Sequence, residues 1–334
     1  MIEMFDNRPG FAITINGMPS LLVNQNLNSL TLVENRGFDA DTLQLIINDP
    51  DGTIALPNRK AEITLAIGFG MTLINKGKFI VDSVTHAGPP DVISIGAHSA
   101  DFKREFLERK SDLYENKTLE EIVTKIAGKY GWEPKIADIF KNIKIEAKQQ
   151  ADESDANLLT RLAQEYDAVA TVKMGKLLFL ERGVGKTANG ESLELITHRR
   201  SDGDQHSYSV SDREQYSGVE ARYIIQGQAK RKSIIVGEEE RVYKMRKIYN
   251  SEAEAQTAAE RQLERLKRNR ASVAVNLARG NARLSAESPL KLVGFKTEMD
   301  SEQWIVTTIT HKIDSSNGFV SELQGEVVPE KKEE

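Results

Sequence analysis

In the first hundred residues the apolar side chains return at every second position, the period of a β-strand with one face in a core. Leu43, Leu45 and Ile47 alternate with Gln44, Ile46 and Asn48, so one face of this segment is wholly apolar and the other largely polar. Ala61 to Phe69 and Lys78 to Thr85 continue the pattern, and Val92-Ile93-Ser94-Ile95 is a shorter member. Turn signals separate these runs: Asn16-Gly17, Asp49-Pro50-Asp51-Gly52, Asn75-Lys76-Gly77 and Gly88-Pro89-Pro90. Several short strands spaced in this way predict a small barrel or sandwich over residues 1–100.

The pattern changes after Ala100. Thr118-Leu119-Glu120-Glu121 has the form of a capping box, and Leu119, Ile122, Val123 and Ile126 follow at helical spacing. Gly128 and Gly131 bracket the end of that helix. A second helix is predicted over 154–166, with Leu158, Leu159 and Leu162 on one face. Val169-Ala170-Thr171-Val172, a Lys173-Met174-Gly175-Lys176 turn and Leu177-Leu178-Phe179-Leu180 read as a hairpin. The period returns to two in the last portion, at Val219, Ala221, Tyr223 and Ile225, at Val273, Val275 and Leu277, and at Ile305, Thr307 and Ile309. One long helix over 251–270 interrupts it, with an Ala-rich stripe of Ala255, Ala258, Ala259, Leu263 and Leu266 and a basic end. The expected organisation is a β-rich block over 1–100, a mixed α/β region over 101–190, a second β-rich block over 191–328 and a flexible tail over 329–334. The order suggests a duplicated barrel, although no residue-level repeat links the two blocks.

Several function classes find little support. Lys and Arg number 45 against 50 Asp and Glu, a formal net charge of −5, whereas a protein that coats nucleic acid presents a basic surface. No apolar run reaches the roughly 18 residues of a membrane span. The Met1-Ile2-Glu3-Met4-Phe5-Asp6 start lacks the basic region of a secretory signal. Cysteine is absent, which removes disulfides and thiolate chemistry and fits assembly in a reducing cytoplasm. Gly183-Val184-Gly185-Lys186-Thr187 looks like the end of a phosphate-binding loop, but Leu180 stands where that motif needs its first glycine. Ser94 lacks the first glycine of a nucleophile elbow. His86, His98, His198, His206 and His311 show no short metal-ligand spacing. His198 and His206, with Arg199, Arg200, Asp202 and Asp204 between them, form a cluster that could bind an anion or a partner, but they read more simply as a solvated polar loop. The acid pairs Glu120-Glu121 and Glu153/Asp155 sit at helix starts, where the dipole favours them without any catalytic role. Lys230, Arg231, Lys232, Arg241, Lys244, Arg246 and Lys247 place cations on one predicted hairpin, a surface suited to an acidic partner or to plain solvent.

The stretch Gln150-Ala151-Asp152-Glu153-Ser154-Asp155-Ala156-Asn157-Leu158-Leu159-Thr160-Arg161-Leu162-Ala163, followed by Tyr166-Asp167-Ala168-Val169 and Lys176-Leu177-Leu178-Phe179, resembles the signature of the phage late-control D family, the baseplate hub proteins of contractile tails. Further matches follow in order: His198-Arg199-Arg200, Asp202-Gly203-Asp204-Gln205-His206, Tyr216-Ser217-Gly218-Val219, and Gly294-Phe295-Lys296 with Trp304 and His311. The hub part of type VI secretion spike proteins shares the Glu-Ser-Asp and Leu-x-Arg-Leu strings. Within the motif, Ser154 is placed to cap a helix, Leu158, Leu159 and Leu162 to bury one face, and Arg161 to pair with a carboxylate. Glu153, Ser154, Asp155, Leu159, Arg161 and Leu162 are therefore read as packing residues.

The resemblance implies a mainly β chain with an α/β insertion and two tube-like β-barrels. It implies a homotrimer that joins a six-fold tail tube to a three-fold spike and contacts the tape measure protein, located in the virion tail after assembly in the host cytoplasm. The stretch 112–148 resembles a small LysM-like insert of some hubs. The type VI proteins continue into an oligonucleotide-fold neck and a needle, whereas this sequence ends at Glu334, so the spike is expected to be a separate polypeptide. The expected protein is structural, with no catalytic residue, cofactor or metal, no membrane insertion and no sequence-specific nucleic-acid binding. Its rivals are a type VI-like spike hub, a cell-wall-binding or hydrolysing tail protein and a β-barrel binding module. A hydrolase needs a convergent acid/base constellation that the sequence does not display. The module needs an aromatic platform, and aromatics make up only 6%.

Overall fold

The computed structural model describes residues 8–100, 103–185, 193–210, 216–225 and 231–328. Lys186, Thr187, Lys230 and the 329–334 segment lie outside the described residues. The first block holds β1 (Pro9–Ile15), β2 (Met18–Pro19), α1 (Leu21–Asn26), β3 (Leu27–Asn35), β4 (Thr42–Asn48), β5 (Glu62–Phe69), β6 (Thr72–Ala87) and β7 (Val92–Ser99). The middle holds β8 (Arg109–Thr118), α2 (Leu119–Tyr130), β9 (Glu133–Ile136), α3 (Asp138–Lys141), β10 (Lys144–Ser154), α4 (Asp155–Tyr166), β11 (Ala168–Lys173) and β12 (Lys176–Glu181). Then come β13 (Ile196–Arg199), β14 (Gly203–Val210), β15 (Gly218–Ile224), β16 (Arg231–Gly237), β17 (Val242–Tyr249), α5 (Glu252–Arg268), β18 (Ala271–Leu277), β19 (Pro289–Val293), α6 (Thr297–Asp300), β20 (Gln303–Asp314) and β21 (Gly318–Val327). The chain is thus mainly β with an α/β insertion.

Thirteen strands share one sheet. Its path runs β14-β18-β21-β20-β3-β4-β7-β6-β5-β1-β2, with β19 on β20 and β13 on β19. Among the described residues this path does not close on itself. The junction of the two β-rich blocks is a true ladder: β3 pairs antiparallel with β20 from Ser29 opposite Asp314 to Asn35 opposite Thr308. Two apolar cores sit along the sheet. One gathers Leu30, Leu45, Ile63, Phe79 and Ile95 and also takes Ile313 and Phe319 from the far end of the chain. The other gathers Val273, Leu290, Trp304, Ile309 and Leu323.

The segment Asn75-Lys76-Gly77, which reads as a turn in sequence, is instead a bulge inside β6. The β5–β6 register passes from Leu65 opposite Gly77 to Ala66 opposite Asn75, which leaves Lys76 as the extra residue. Gly77 has φ 98°, a left-handed backbone that glycine adopts without strain. The reversal itself lies at Gly70-Met71, between Phe69 and Thr72.

The insertion has its own core of Phe106, Ile122, Trp132, Leu158, Leu162 and Phe179. β8 pairs with β10, and β9, β12 and β11 form a second small sheet. The capping box of α2 is complete: the Glu121 amide donates to Thr118 Oγ1 at 3.2 Å and the Thr118 amide donates to Glu121 Oε2 at 2.7 Å. The β11–β12 hairpin turns on two residues, Met174 and Gly175, both with positive φ, which matches the twist of the flanking strands. Finally, α5 lies on the three-stranded sheet β16-β15-β17, with Ala255 and Ala259 fully buried beside Val219 and Ala221. Two small side chains allow that close approach.

Candidate functional site

The motif stretch occupies the junction of β10 and α4. Ser154 Oγ accepts the Asn157 amide at 3.1 Å, which satisfies one orphan N–H of the first helical turn. Leu158, Leu159 and Leu162 are fully buried in the insertion core. Arg161 grips Glu153 with two nitrogens, Nε to Oε1 at 3.1 Å and Nη2 to Oε2 at 2.6 Å, and donates a third bond to the Gln149 carbonyl at 2.8 Å. These contacts bind the helix to the strand that feeds it.

Asp155 differs from an ordinary helix-start acid. Its side chain is fully buried. It accepts from Tyr130 Oη at 2.7 Å, Gln150 Nε2 at 2.9 Å and Lys110 Nζ at 3.1 Å, with Lys129 Nζ at 3.3 Å. Burial pushes its carboxyl up, but the Gln150, Tyr130 and Lys110 donors and the Lys129 charge outweigh burial and hold it below the usual carboxylate range. One carboxylate thus links α4, α2, β8 and β10. Both of its oxygens are engaged by donors, which fixes the carboxylate in place.

A second set of buried charges lines the seam where the parts of the molecule meet. At the β3–β20 junction, Lys76 reaches from its bulge to Glu34 Oε2 at 2.7 Å and to the Leu284 carbonyl at 2.9 Å. His311 is fully buried, with Nδ1 2.8 Å from Ser321 Oγ and Nε2 3.3 Å from Glu34 Oε2. That geometry suits a neutral ring that accepts from Ser321 and donates to Glu34. Burial lowers the pKa of His311 from its ordinary value. Burial raises that of Glu34, but His311 and Lys76 outweigh burial and bring it down to about 2. Nearby, Arg36 bridges Glu287 and Glu326, Lys173 of the insertion pairs with Asp41, and Arg268 at the end of α5 pairs with Asp167 at the end of α4. The Lys173–Asp41 pair ties the insertion to the large sheet, and the Arg268–Asp167 pair ties α5 to the insertion. Arg36, Glu287, Asp41 and Lys173 border a groove of about 460 Å³ walled by Val169, Leu178 and Leu180.

The other sequence candidates are dispersed. Among the described residues no three His, Asp or Glu side chains gather as a metal site. The Gly183 amide donates to Glu287 at 3.3 Å, so the start of the glycine string is tied into the seam. Ser94 lies on β7. Reading His198 as part of a solvated loop is wrong. It sits in β13, 6% exposed, with its ring beside Phe295. Gly203 makes room for it, because a Cβ there would lie 2.6 Å from His198 Nε2. His206 stays exposed on β14, with its ring against Phe295.

The phage tail baseplate hub (GPD) family matches residues 92–317. This chain belongs to that family. The match takes in the Asp155 network, the motif helix and His311, while the first strands of the large sheet lie before it. Relatives extend the likeness to more than nine-tenths of the chain. The probable baseplate hub protein of Escherichia phage P2 is 36% identical over 346 residues, covering 91% of this chain and 89% of the relative. The probable baseplate hub protein of Escherichia phage 186 is 33% identical, covering 96% and 93%. Among solved structures, the 43 kDa tail protein of prophage MuSo2 from Shewanella oneidensis superposes with a TM-score of 0.69 at 13% identity, over 94% of this chain and 97% of that one. The c3393 protein of E. coli, a type VI secretion component, gives 0.59 at 14% identity, over 96% and 77%. At such identities the likeness is one of fold. This hub protein therefore has the fold of phage tail proteins, shared with a secretion component.

Proposed function

We propose that the chain is the structural, non-enzymatic hub of a contractile tail baseplate: a homotrimer that joins a six-fold tube to a three-fold spike and contacts the tape measure protein. It takes this place in the virion tail after assembly in the host cytoplasm. The observation that carries the reading is the family match together with two baseplate hub relatives aligned over about nine-tenths of both chains. The arrangement of two apolar cores along one sheet supports two tube-like barrels per chain, so that three chains offer six similar units to the tube. A closed ring with two quasi-equivalent units per subunit meets both symmetries at once. The buried polar groups support a mechanical role, since the carboxylates of the motif and the seam are engaged by cations or donors. Light-scattering mass measurement of the purified chain, alone and with its spike and tube partners, tests the proposal. A trimer that co-elutes with both is expected. A monomer that binds neither overturns it, and so does turnover of peptidoglycan abolished by one carboxylate substitution.

A further inference from the structure

The three-stranded sheet β16-β15-β17 has a cover on one face only. Val219, Ala221 and Tyr223 point into the core under α5. Their alternates Glu220, Arg222 and Ile224 point the other way, where no described element forms a second layer. Cross-strand register places Ile235, Ser233 and Arg231 beside them on β16, and Lys244 beside Glu220 on β17. The Lys244–Glu220 pair at 3.5 Å fixes that side. Ile224 and Ile235 are 41% and 39% exposed, and among the described residues Arg222 and Arg231 have no acidic partner. A sheet face that is both apolar and cationic and that stays bare in the isolated chain is a surface shaped for a partner.

The character of the face selects that partner. Two isoleucines and a central Glu220 suit a protein surface with acidic and apolar groups, whereas a phosphate backbone would meet Glu220 as a like charge. The composition of the chain suits such a partner. The face itself carries Arg222, Arg231 and Lys244 against Glu220, and the chain outside residues 216–270 holds thirty-two Lys and Arg against forty-two Asp and Glu. We propose that the uncovered face of β16-β15-β17 docks against the acidic remainder of a second copy of this chain. The inference rests on the self-association proposed above and assigns it a surface. The interface is heterologous, as a ring requires, because a cationic patch meets a different, acidic one.

A photo-crosslinking residue at Ser233, the centre of the face, and the double variant R222E/R231E test it on the full chain. The expected results are a crosslinked species of twice the chain mass and at least roughly tenfold weaker self-association of the double variant, the effect of like charges brought face to face. Raising ionic strength from about 0.05 M to about 0.5 M weakens the wild-type association in the same direction. Three results overturn the inference while leaving the trimer standing: a self-associated chain with no copy-to-copy crosslink at position 233, a crosslink there only to a different tail protein or to nucleic acid, or unchanged association of R222E/R231E. A chain that stays monomeric even with its tail partners overturns the trimer and this inference together. Crosslinking needs no surface charge change, so it reads the face even if the double variant folds poorly.

Discussion

His311 and Glu34 carry the sharpest single-residue consequences. Both have folded-state pKa values below their ordinary ones, so protonation favours the unfolded chain and stability is lost as pH falls. For His311 the loss begins below its ordinary value of 6.5. For Glu34 it runs from 4.5 towards about 2. Urea midpoints measured against pH should therefore fall in two stages, and His311→Gln should flatten the upper one. Asp155→Ala strands four donors and should cost about 2–3 kcal/mol, less than a fully buried pair because Lys110 and Lys129 remain partly in water. Leu162→Asp puts a charge in the insertion core and should cost several kcal/mol, with loss of soluble protein. The inward direction of the buried polar residues was legible by parity. Glu34 continues Leu30 and Leu32, and His311 sits between Ile309 and Ile313. Their partners were not, because Lys76, Glu34 and His311 come from three distant strands, and pairing across a sheet leaves no local trace.

At the scale of elements, caps and apolar stripes set the helices. Ser154→Ala removes the α4 cap and should lower stability by about 1 kcal/mol in a thermal or urea melt. Ala259→Leu forces a larger side chain between α5 and β15 and should cost roughly 1–3 kcal/mol. Helix α2 and the β11–β12 hairpin were readable because a capping box and a two-residue turn act within a few positions, and α5 because its Ala-rich stripe repeats at helical spacing. The β6 bulge was misread as a turn because Asn-Lys-Gly serves either purpose, and only the partner strand decides. The small strand β9 escaped notice because its parallel pairing with β12 is non-local.

For the whole molecule, strand order is the feature that local sequence hides. The change from β-rich to mixed to β-rich was evident, but the fusion of the two β-rich blocks through β3 and β20 was not, since periodicity assigns a face to a strand without naming its neighbour. A fragment of residues 1–100 should therefore fail to fold cooperatively, as it lacks the Ile313 and Phe319 contacts and leaves β3 unpaired along one side. Amide dispersion in a proton–nitrogen spectrum of that fragment reads this directly. The same ladder sets a timetable for biosynthesis. A ribosome that has released Asn35 must still translate up to Thr308 before the matching strand exists, roughly 14–55 s at about 5–20 residues per second. Throughout that interval the nascent amino-terminal part presents a raw seam to its surroundings, so the yield of folded chain depends on whatever shields it until the last strands arrive.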